Sequence, residues 1–303
     1  MKKTKEKIAN YTFLFTAIVA VVSVLAITLY MFLKGAPAVL KVGAPNLLFG
    51  TVWKPTAEEA HFGIAYIILS SIVGTFGAVL IGVPAGLLTA VFLTDITGGD
   101  KTGRKISKFL SSAVELLAAI PSVIYGLIGL MVLNPLMYKV EKALFAKSPD
   151  HQFTGGANLL SAIIVLAIMI LPTVINVSCS SIKAVPDSLR HASLALGASK
   201  LQTIFMVVIP AAKSGIMTGV VLGIGRALGE AMAINMVAGG AVNIPLPFNS
   251  VRFLTTQLVS EMSYASGLHR QVLFTVGLVL YIFVMIINSM LSKLKRKGDL
   301  KND

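Results

Sequence analysis

Charged residues are scarce in this chain of 303 residues: 13% are Asp, Glu, Lys or Arg, while 55% are hydrophobic. A soluble domain of this size needs a larger share of charged surface, so the composition excludes an ordinary soluble protein. In lipid every backbone polar group must be hydrogen-bonded within the protein, which leaves helices or closed barrels. Because the apolar runs are long and do not alternate with polar residues, we expect an all-α integral membrane protein.

Cysteine, metal-ligand clusters and nucleotide-binding loops are also missing. With Cys179 as the one cysteine, no intramolecular disulfide can form. The histidines are scattered without metal-ligand spacing, so no metal centre is expected. No phosphate-binding loop of the form G-x-x-x-x-G-K-[ST] occurs, and GGDKTG at 98–103 does not fit it. The chain is therefore expected to carry no cofactor and no ATPase site of its own.

Uncharged runs long enough to cross ~30 Å of hydrocarbon are plain at five places. They lie at roughly 11–33, 65–93, 116–137, 159–182 and 271–291. The stretch 203–238 is ambiguous because Lys213, Arg226 and Glu230 interrupt it. Both chain ends are rich in lysine and arginine, which cytoplasmic segments retain, so the number of crossings must be even. We therefore predict six transmembrane helices with cytoplasmic N- and C-termini.

The formal net charge of +13 could indicate nucleic-acid binding. In the six-helix arrangement, however, most lysines and arginines fall on cytoplasmic segments, so topology and contact with membrane lipid explain the excess, and no nucleic-acid partner is expected. The basic start MKKTKEK imitates a signal peptide. The apolar run from Ile8 to Leu33 is longer than a signal peptide's hydrophobic region, which favours an uncleaved anchor over cleavage near 36–38.

A short amphipathic helix is predicted after the fourth span, within AVPDSLRHASLALGASKLQTIFMVVIP at 184–210. Asp187 and Ser188 are candidate N-cap residues. Gly197 is a candidate C′ residue, where a helix ends in the left-handed conformation. Leucines and alanine between them recur at helical spacing and form a small apolar ridge.

A second helix is predicted to follow directly. Ser199 can cap it, and Pro210 is expected to bend it into the fifth span. The result is a helical hairpin on the cytoplasmic face. Its apolar ridge suits a groove on a partner protein, or equally the surface of the bilayer.

This hairpin resembles the coupling loop of type I ABC importer permeases. The family pattern is Glu-Ala-Ala, three residues, Gly, nine residues, then Ile-x-Leu-Pro. At the same spacing this chain has His191, Ala192, Ser193, Gly197, Val207, Ile209 and Pro210. In the family the loop docks into the ATP-binding subunit and transmits its motion, so the resemblance implies the same role here. The departures are His191 for Glu, Ser193 for the second Ala, and aliphatic exchanges before Pro210.

Two further stretches resemble the PstC-type permease subunit of phosphate-specific ABC importers. They are ELLAAIPSVIYGLIGL at 115–130 and GIGRALGEAMAINMV at 223–237. The resemblance runs from the first predicted span to about residue 290. It implies a permease in the cytoplasmic (inner) membrane of a prokaryote that moves inorganic phosphate by alternating access. It also implies its partners: a related PstA-type permease, two ATP-binding subunits that carry ATP and Mg, and an extracytoplasmic phosphate-binding protein.

Three parts of the chain are expected on this resemblance. Residues 1–60 would hold the N-terminal tail, the first helix and an outer loop. Residues 61–292 would form the ABC transmembrane type-1 permease core, with five helices and the coupling loop. Residues 293–303 would be a basic cytoplasmic tail.

Arg226 and Glu230 stand four residues apart in the ambiguous fifth stretch. If that helix enters lipid near Ser214, Arg226 lies about 18 Å deep, where a charge costs at least ~2.5–3.5 kcal/mol. On one continuous helix the glutamate would neutralise the arginine. The pair could pin two helices together, or Arg226 could bind a passing oxyanion while Glu230 prevents trapping. The resembling family assigns this Arg and Glu to phosphate passage, which favours a translocation site.

The same stretch carries small residues at every fourth position, which predicts close packing against another helix. They are Gly215, Gly219, Gly223, Ala227 and Ala231. Glu115 is expected near the cytoplasmic end of the third span, where its carboxylate can reach the interface.

Two other functions stay open at this point. The same architecture could serve another oxyanion such as sulfate or molybdate. A stand-alone channel or secondary carrier is a further alternative, against which the coupling-loop pattern argues. An enzyme is disfavoured because no nucleophile–base constellation is visible.

Overall fold

The computed structural model describes residues 2–96, 101–149 and 151–299, and most of them are helical. The helices in this part of the chain are α1 Lys2–Val42, α2 Ala44–Phe49, α3 Ala65–Val91, α4 Lys101–Ala119, α5 Ser122–Ile128, α6 Asn134–Phe145, α7 Leu159–Lys183, α8 Asp187–Ala195, α9 Lys200–Thr203, α10 Ile209–Ala211, α11 Lys213–Gly229, α12 Met232–Val237, α13 Leu254–Glu261 and α14 Gly267–Asp299. Among the described residues, π-helical segments lie at Phe92–Ile96 directly after α3, at Gly129–Leu133 between α5 and α6, and at Ile204–Val208 between α9 and α10. Residues 300–303, the end of the expected basic tail, lie outside the described residues.

In the described part of the chain, five helical stretches are long and apolar enough to cross a membrane: Ala9–Val42, Ala65–Asp95, Ser122–Phe145, Leu159–Lys183 and Gly267–Met290. A sixth consists of Lys200–Ala211 and Lys213–Gly229, which are bent by 70°. The expected all-α membrane fold is confirmed, with six spans when the bent pair counts as one. If all six stretches cross, the start of α1 and the end of α14 lie on the face that carries α8 and α9, which we term the hairpin face. The opposite side is the loop face, and which of the two is cytoplasmic stays a prediction.

The third span begins later than the sequence indicated. Residues up to Ala119 belong to α4, the helix breaks at Pro121, and the span runs over Ser122–Phe145 instead of 116–137. Proline lacks the N–H of a helix interior and disfavours helical geometry in the residue before it. Glu115 therefore lies on α4, with an exposed side chain, and not at the end of the third span.

The fifth span bends next to Pro210 as expected, but the helix expected to carry both Arg226 and Glu230 is interrupted between them. The chain bends at Ala212, and α11 ends at Gly229. Glu230 then adopts an extended conformation with ψ 127°, before the short helix α12 starts at Met232. The charged residues of this stretch thus lie beside a helix break, where side chains can bond to freed backbone groups.

A small β-hairpin on the loop face departs from the all-helical expectation. Strand β1, Trp53–Lys54, pairs antiparallel with β2, His61–Phe62. The Trp53 indole Nε1–H donates to both carboxylate oxygens of Glu261 at 3.1 Å, and so fixes the hairpin to α13.

The helix α7 lies at the centre of the bundle, and glycines allow α3 to approach it closely. A β-carbon built at Gly82 would lie 2.7 Å from the Ile170 side chain, and one at Gly86 would lie 2.8 Å from Val174. In contrast, α1 lies at the periphery and packs on α14. Since dispersion and fit drive helix association in lipid, such glycine seams define the arrangement of the core.

Candidate functional site

The coupling hairpin is formed by α8 and α9, as the sequence indicates, but its first cap differs from the expectation. Pro186 occupies the N-cap position without a side-chain cap, and Asp187 and Ser188 are the first two residues of the helix. The N-cap assignment of these two residues is therefore wrong. Proline already has the extended backbone that an N-cap needs (φ −57°, ψ 137°), and the Asp187 carboxylate still complements the helix dipole.

A Schellman motif ends α8. Gly197 has φ +85°, the Gly197 N–H donates to the Leu194 carbonyl at 3.0 Å, and the Ala198 N–H donates to the Ser193 carbonyl at 3.2 Å. Glycine is favoured at this C′ position because it adopts positive φ without a steric penalty. The chain therefore reverses within a few residues.

The second arm starts with a capping box. Ser199 Oγ accepts from the Gln202 N–H at 3.2 Å, and Gln202 Oε1 accepts from the Ser199 N–H at 2.8 Å. The hydroxyls of Ser193 and Thr203, 2.9 Å apart, join the two arms. Of the coupling-motif residues, Ser193 thus holds the hairpin together, while Pro210 lies in α10 next to the 70° bend.

The outer face of α8 is unpartnered in the single chain, since none of its residues is buried. His191 and Ala192 are exposed. Leu189 and Leu194 are about half exposed, and Leu196 just beyond the helix is 90% exposed. An apolar ridge of this kind fits a groove on a partner.

Arg226 and Glu230 do not form the predicted ion pair. Among the ion pairs of the residues that the structure describes, none brings a carboxylate within 4.0 Å of Arg226. The half-buried Arg226 donates from Nη1 to the Thr173 hydroxyl on α7, at 3.4 Å. The pairing fails because α11 ends between the two residues, so they no longer share one helix face.

Glu230 instead stabilises the break after α11. Its Oε1 accepts from the Ala233 N–H at 2.9 Å and so caps the first turn of α12. Its backbone carbonyl accepts from the Thr255 hydroxyl on α13 at 2.7 Å. A carboxylate at a helix N-terminus satisfies a free N–H and is favoured by the dipole.

The two stretches that resemble PstC lie side by side. A β-carbon at Gly126 of α5 would lie 2.8 Å from the Ala233 Cα on α12, so the two short helices touch backbone to backbone. The Tyr125 hydroxyl donates to the Leu117 carbonyl at 2.6 Å and bridges the break at Pro121. Two broken helices therefore meet next to Arg226, and broken helices in membranes occur where they are buried or line a cavity.

The small-residue ladder of α11 faces α7. A β-carbon at Gly215 would lie 2.6 Å from Ser181 Cβ, one at Gly219 would lie 3.0 Å from Val177 Cβ, and one at Gly223 would lie 3.2 Å from Val174. Ala227 continues this buried face, whereas Ala231 lies beyond the end of α11. The ladder positions the helix that carries Arg226 against the helix that carries Thr173.

The sequence did not single out Thr173. A signal was present, because it is a polar residue directly after Pro172 in an otherwise apolar span. Spacing alone, however, could not bring α7 next to Arg226, which lies 53 residues further along.

The family model of the binding-protein-dependent transport system inner membrane component matches residues 82–297. The chain belongs to this family. A probable ABC transporter permease protein YqgH of Bacillus subtilis is 36% identical over 92% of this chain and 88% of the relative. The phosphate transport system permease protein PstC of Pasteurella multocida is 32% identical over 80% and 77% of the two chains, and that of Mesorhizobium japonicum 34% over 80% and 75%.

Solved structures show the same fold. A bacterial alginate ABC transporter, in complex with an alginate pentasaccharide-bound periplasmic protein, matches with a TM-score of 0.63 at 15% identity, over 96% of each chain. The inward-facing MetNI methionine ABC transporter matches with a TM-score of 0.54 at 22% identity, over 78% of this chain and 94% of that one. The chain is thus the permease subunit of an ABC importer, and it crosses the inner membrane several times.

Proposed function

We propose that this chain is the PstC-type permease of an ATP-driven importer for inorganic phosphate. The observation that carries the proposal is the state of Arg226: a half-buried guanidinium on a membrane helix, with a hydroxyl as its partner and no carboxylate of the described residues within 4.0 Å. A charge at this depth is costly unless it is neutralised. A passing phosphate supplies that neutralisation, and the fork of the guanidinium fits its oxygens.

Thr173 and Glu230 complete the proposed translocation site. The Thr173 hydroxyl accepts from Arg226 and keeps its own proton available to donate to an anion. Glu230 caps α12 close to the site, where its negative charge limits how tightly a dianion is held. Release requires such weak binding, since a lone arginine in low dielectric would trap the anion.

In the proposed assembly, other subunits supply ATP hydrolysis, the second half of the pathway and capture of the solute. Two ATP-binding subunits would carry ATP and Mg, and the exposed leucine ridge of α8 would dock into one of them. The hairpin face would then be cytoplasmic, together with both termini. A PstA-type permease would form the other half of the pathway, and an extracytoplasmic phosphate-binding protein would deliver the solute to the loop face.

Another oxyanion, such as sulfate or molybdate, is the second candidate. The relative with 36% identity bears a name without a solute, and the similar structures come from transporters of methionine and alginate. Fold and family membership are thus compatible with several solutes, so the solute rests on the Arg226 site and on the PstC relatives.

Uptake of labelled phosphate tests the proposal. Cells that lack their own phosphate permeases would receive this chain with its presumed partners, and with either intact or ATPase-deficient ATP-binding subunits. We expect uptake that needs the intact ATPase and is inhibited by arsenate but not by sulfate or molybdate. Inhibition by sulfate or molybdate would assign another anion, and uptake without the ATPase would contradict the coupling.

A further inference from the structure

Arg190 of α8 connects the coupling hairpin to two membrane helices. Its Nη1 forms an ion pair with Asp95 Oδ1, in the π-helical segment that ends the second span. Its Nη2 donates to the carbonyl of Ile182, in the last turn of α7, at 3.0 Å. One guanidinium therefore holds α8 to the ends of both α7 and the span that begins with α3.

The two ion pairs of Arg190 differ in how far the carboxylate partner is buried. The side chain of Asp95 is 8% exposed and that of Arg190 is 20% exposed. Asp187, whose Oδ1 lies 3.7 Å from the Arg190 Nε, is 85% exposed. Water screens the ion pair with Asp187, so that pair contributes little to stability. The pair with Asp95 is shielded from water, so loss of either partner would leave the other charge buried and uncompensated.

The position of Asp95 is itself fixed. The Thr94 hydroxyl lies 3.1 Å from Asp95 Oδ2 and 2.9 Å from the Ala90 carbonyl and shares its one proton between these acceptors. A displacement of Arg190 is therefore transferred to the backbone of the second span and not absorbed by a mobile carboxylate.

Apolar contacts hold the base of the hairpin independently of Arg190. Val185, Ile204 and Val208 are buried in one cluster with Ala90 and Val91 of α3. Loss of the Arg190 contacts should therefore leave the hairpin attached, while α8 itself, which has no buried residue, loses its polar link to α3 and α7.

We infer that Arg190 is a positioning residue, which through Asp95 and the Ile182 carbonyl converts movement of the coupling helix into movement of the second and fourth spans. The inference rests on the proposed docking of α8 to an ATP-binding subunit. It goes beyond that proposal because it names the path by which the motion reaches the membrane. A guanidinium suits this role, since it can bond to a carboxylate and a carbonyl at once.

The test uses the complete transporter in proteoliposomes, with the binding protein supplied. The variants are Arg190→Gln, Asp95→Asn, the double variant and Arg190→Lys. Asp187→Asn is the control, because it removes the other carboxylate near Arg190, which is exposed. For each, co-purification with the ATP-binding subunits, ATP hydrolysis and labelled-phosphate uptake are measured. The ratio of phosphate transported to ATP hydrolysed is the readout that a purely structural role would not change.

We expect Arg190→Gln and Asp95→Asn each to lower this ratio about two- to thirtyfold while assembly persists. The double variant should be no worse than either single one, because both remove the same link. Arg190→Lys should lie between, since an ammonium reaches Asp95 without the second bond, and Asp187→Asn should match the wild type. If Arg190→Gln does not assemble, Arg190→Lys and Asp95→Asn decide the matter.

An unchanged ratio in Asp95→Asn and in the assembled Arg190 variants would overturn the inference. An equal loss in Asp187→Asn would overturn it too. Failure of the proposed function is distinguishable, because the wild-type transporter would then move no phosphate. In that case the same variants are compared by a different measurement. It is the increase in ATP hydrolysis that the cognate binding protein causes.

Discussion

Arg226 and Thr173 form a polar contact between α11 and α7 in the part of the bundle that lipid would surround. A 3.4 Å hydrogen bond to a neutral hydroxyl compensates a guanidinium weakly. Within the described residues no carboxylate lies within 4.0 Å of Arg226, so under our proposal its remaining donors would bind the anion. A role in joining α11 to α7 is the alternative, and substitution of Arg226 separates the two.

Replacing Arg226 by Gln should reduce uptake to background, a fall of at least about tenfold, because a charged hydrogen bond is worth ~1.5–3 kcal/mol. Assembly with the ATP-binding subunits should persist, which co-purification would show. Arg226→Lys keeps the charge without the fork and should retain partial uptake. Loss of assembly in Arg226→Gln would instead support a structural role.

Thr173→Val removes the hydroxyl at nearly constant volume. It should raise the KM for phosphate about two- to tenfold, which corresponds to one neutral hydrogen bond. Thr173→Ser keeps the hydroxyl and serves as the control. Equal KM values for Thr173→Val and the wild type would exclude Thr173 from the proposed site.

At the scale of elements, the seam between α11 and α7 determines where Arg226 lies. Gly215 is tight at this seam, where an added β-carbon would lie 2.6 Å from Ser181 Cβ. At Gly225 of the same helix, such a β-carbon would have no atom within 4 Å apart from its chain neighbours and the adjacent backbone of its own helix. Both glycines are helical, but an added methyl group would clash with α7 at Gly215 and would find free space at Gly225.

Alanine at these two positions should change stability in opposite directions. Gly215→Ala should destabilise the protein by about 1–3 kcal/mol through overpacking. Gly225→Ala should stabilise it by up to ~1 kcal/mol, because alanine is the better helix former. Thermal unfolding in detergent measures both, and equal shifts would contradict the packing seam.

At the scale of the whole molecule, six crossings bring both chain ends to the hairpin face. Glu6 precedes the first span and Glu58 lies on the loop face, and both side chains are exposed. They are therefore suitable reporters for the two sides of the membrane.

In a background where Cys179 is replaced by Ala, Glu58→Cys should react with a membrane-impermeant maleimide in intact cells. Glu6→Cys should react only after the membrane is permeabilised, because basic termini are retained in the cytoplasm. The reverse pattern would invert the predicted topology, and labelling of both positions in intact cells would contradict the crossing of the first span.

Properties that depend on residues near one another in the chain could be predicted from the amino-acid sequence. Hydropathy and charge asymmetry predicted a six-span helical membrane protein, because the cost of exposing backbone or charge to lipid acts on each segment separately. The caps at Gly197 and Ser199 followed from local backbone preference and side-chain chemistry. Motif spacing indicated the ABC permease family.

The exact positions of helix breaks, and the contacts between residues far apart in the chain, became evident from the packing of the helices. The break after Gly229 is stabilised by a hydrogen bond from another helix, that of the Thr255 hydroxyl to the Glu230 carbonyl. Local spacing therefore predicted an Arg226–Glu230 pair that does not form. The links from Arg226 to Thr173 and from Arg190 to Asp95 join residues far apart in the chain, and packing of α3, α7 and α11 brings them together.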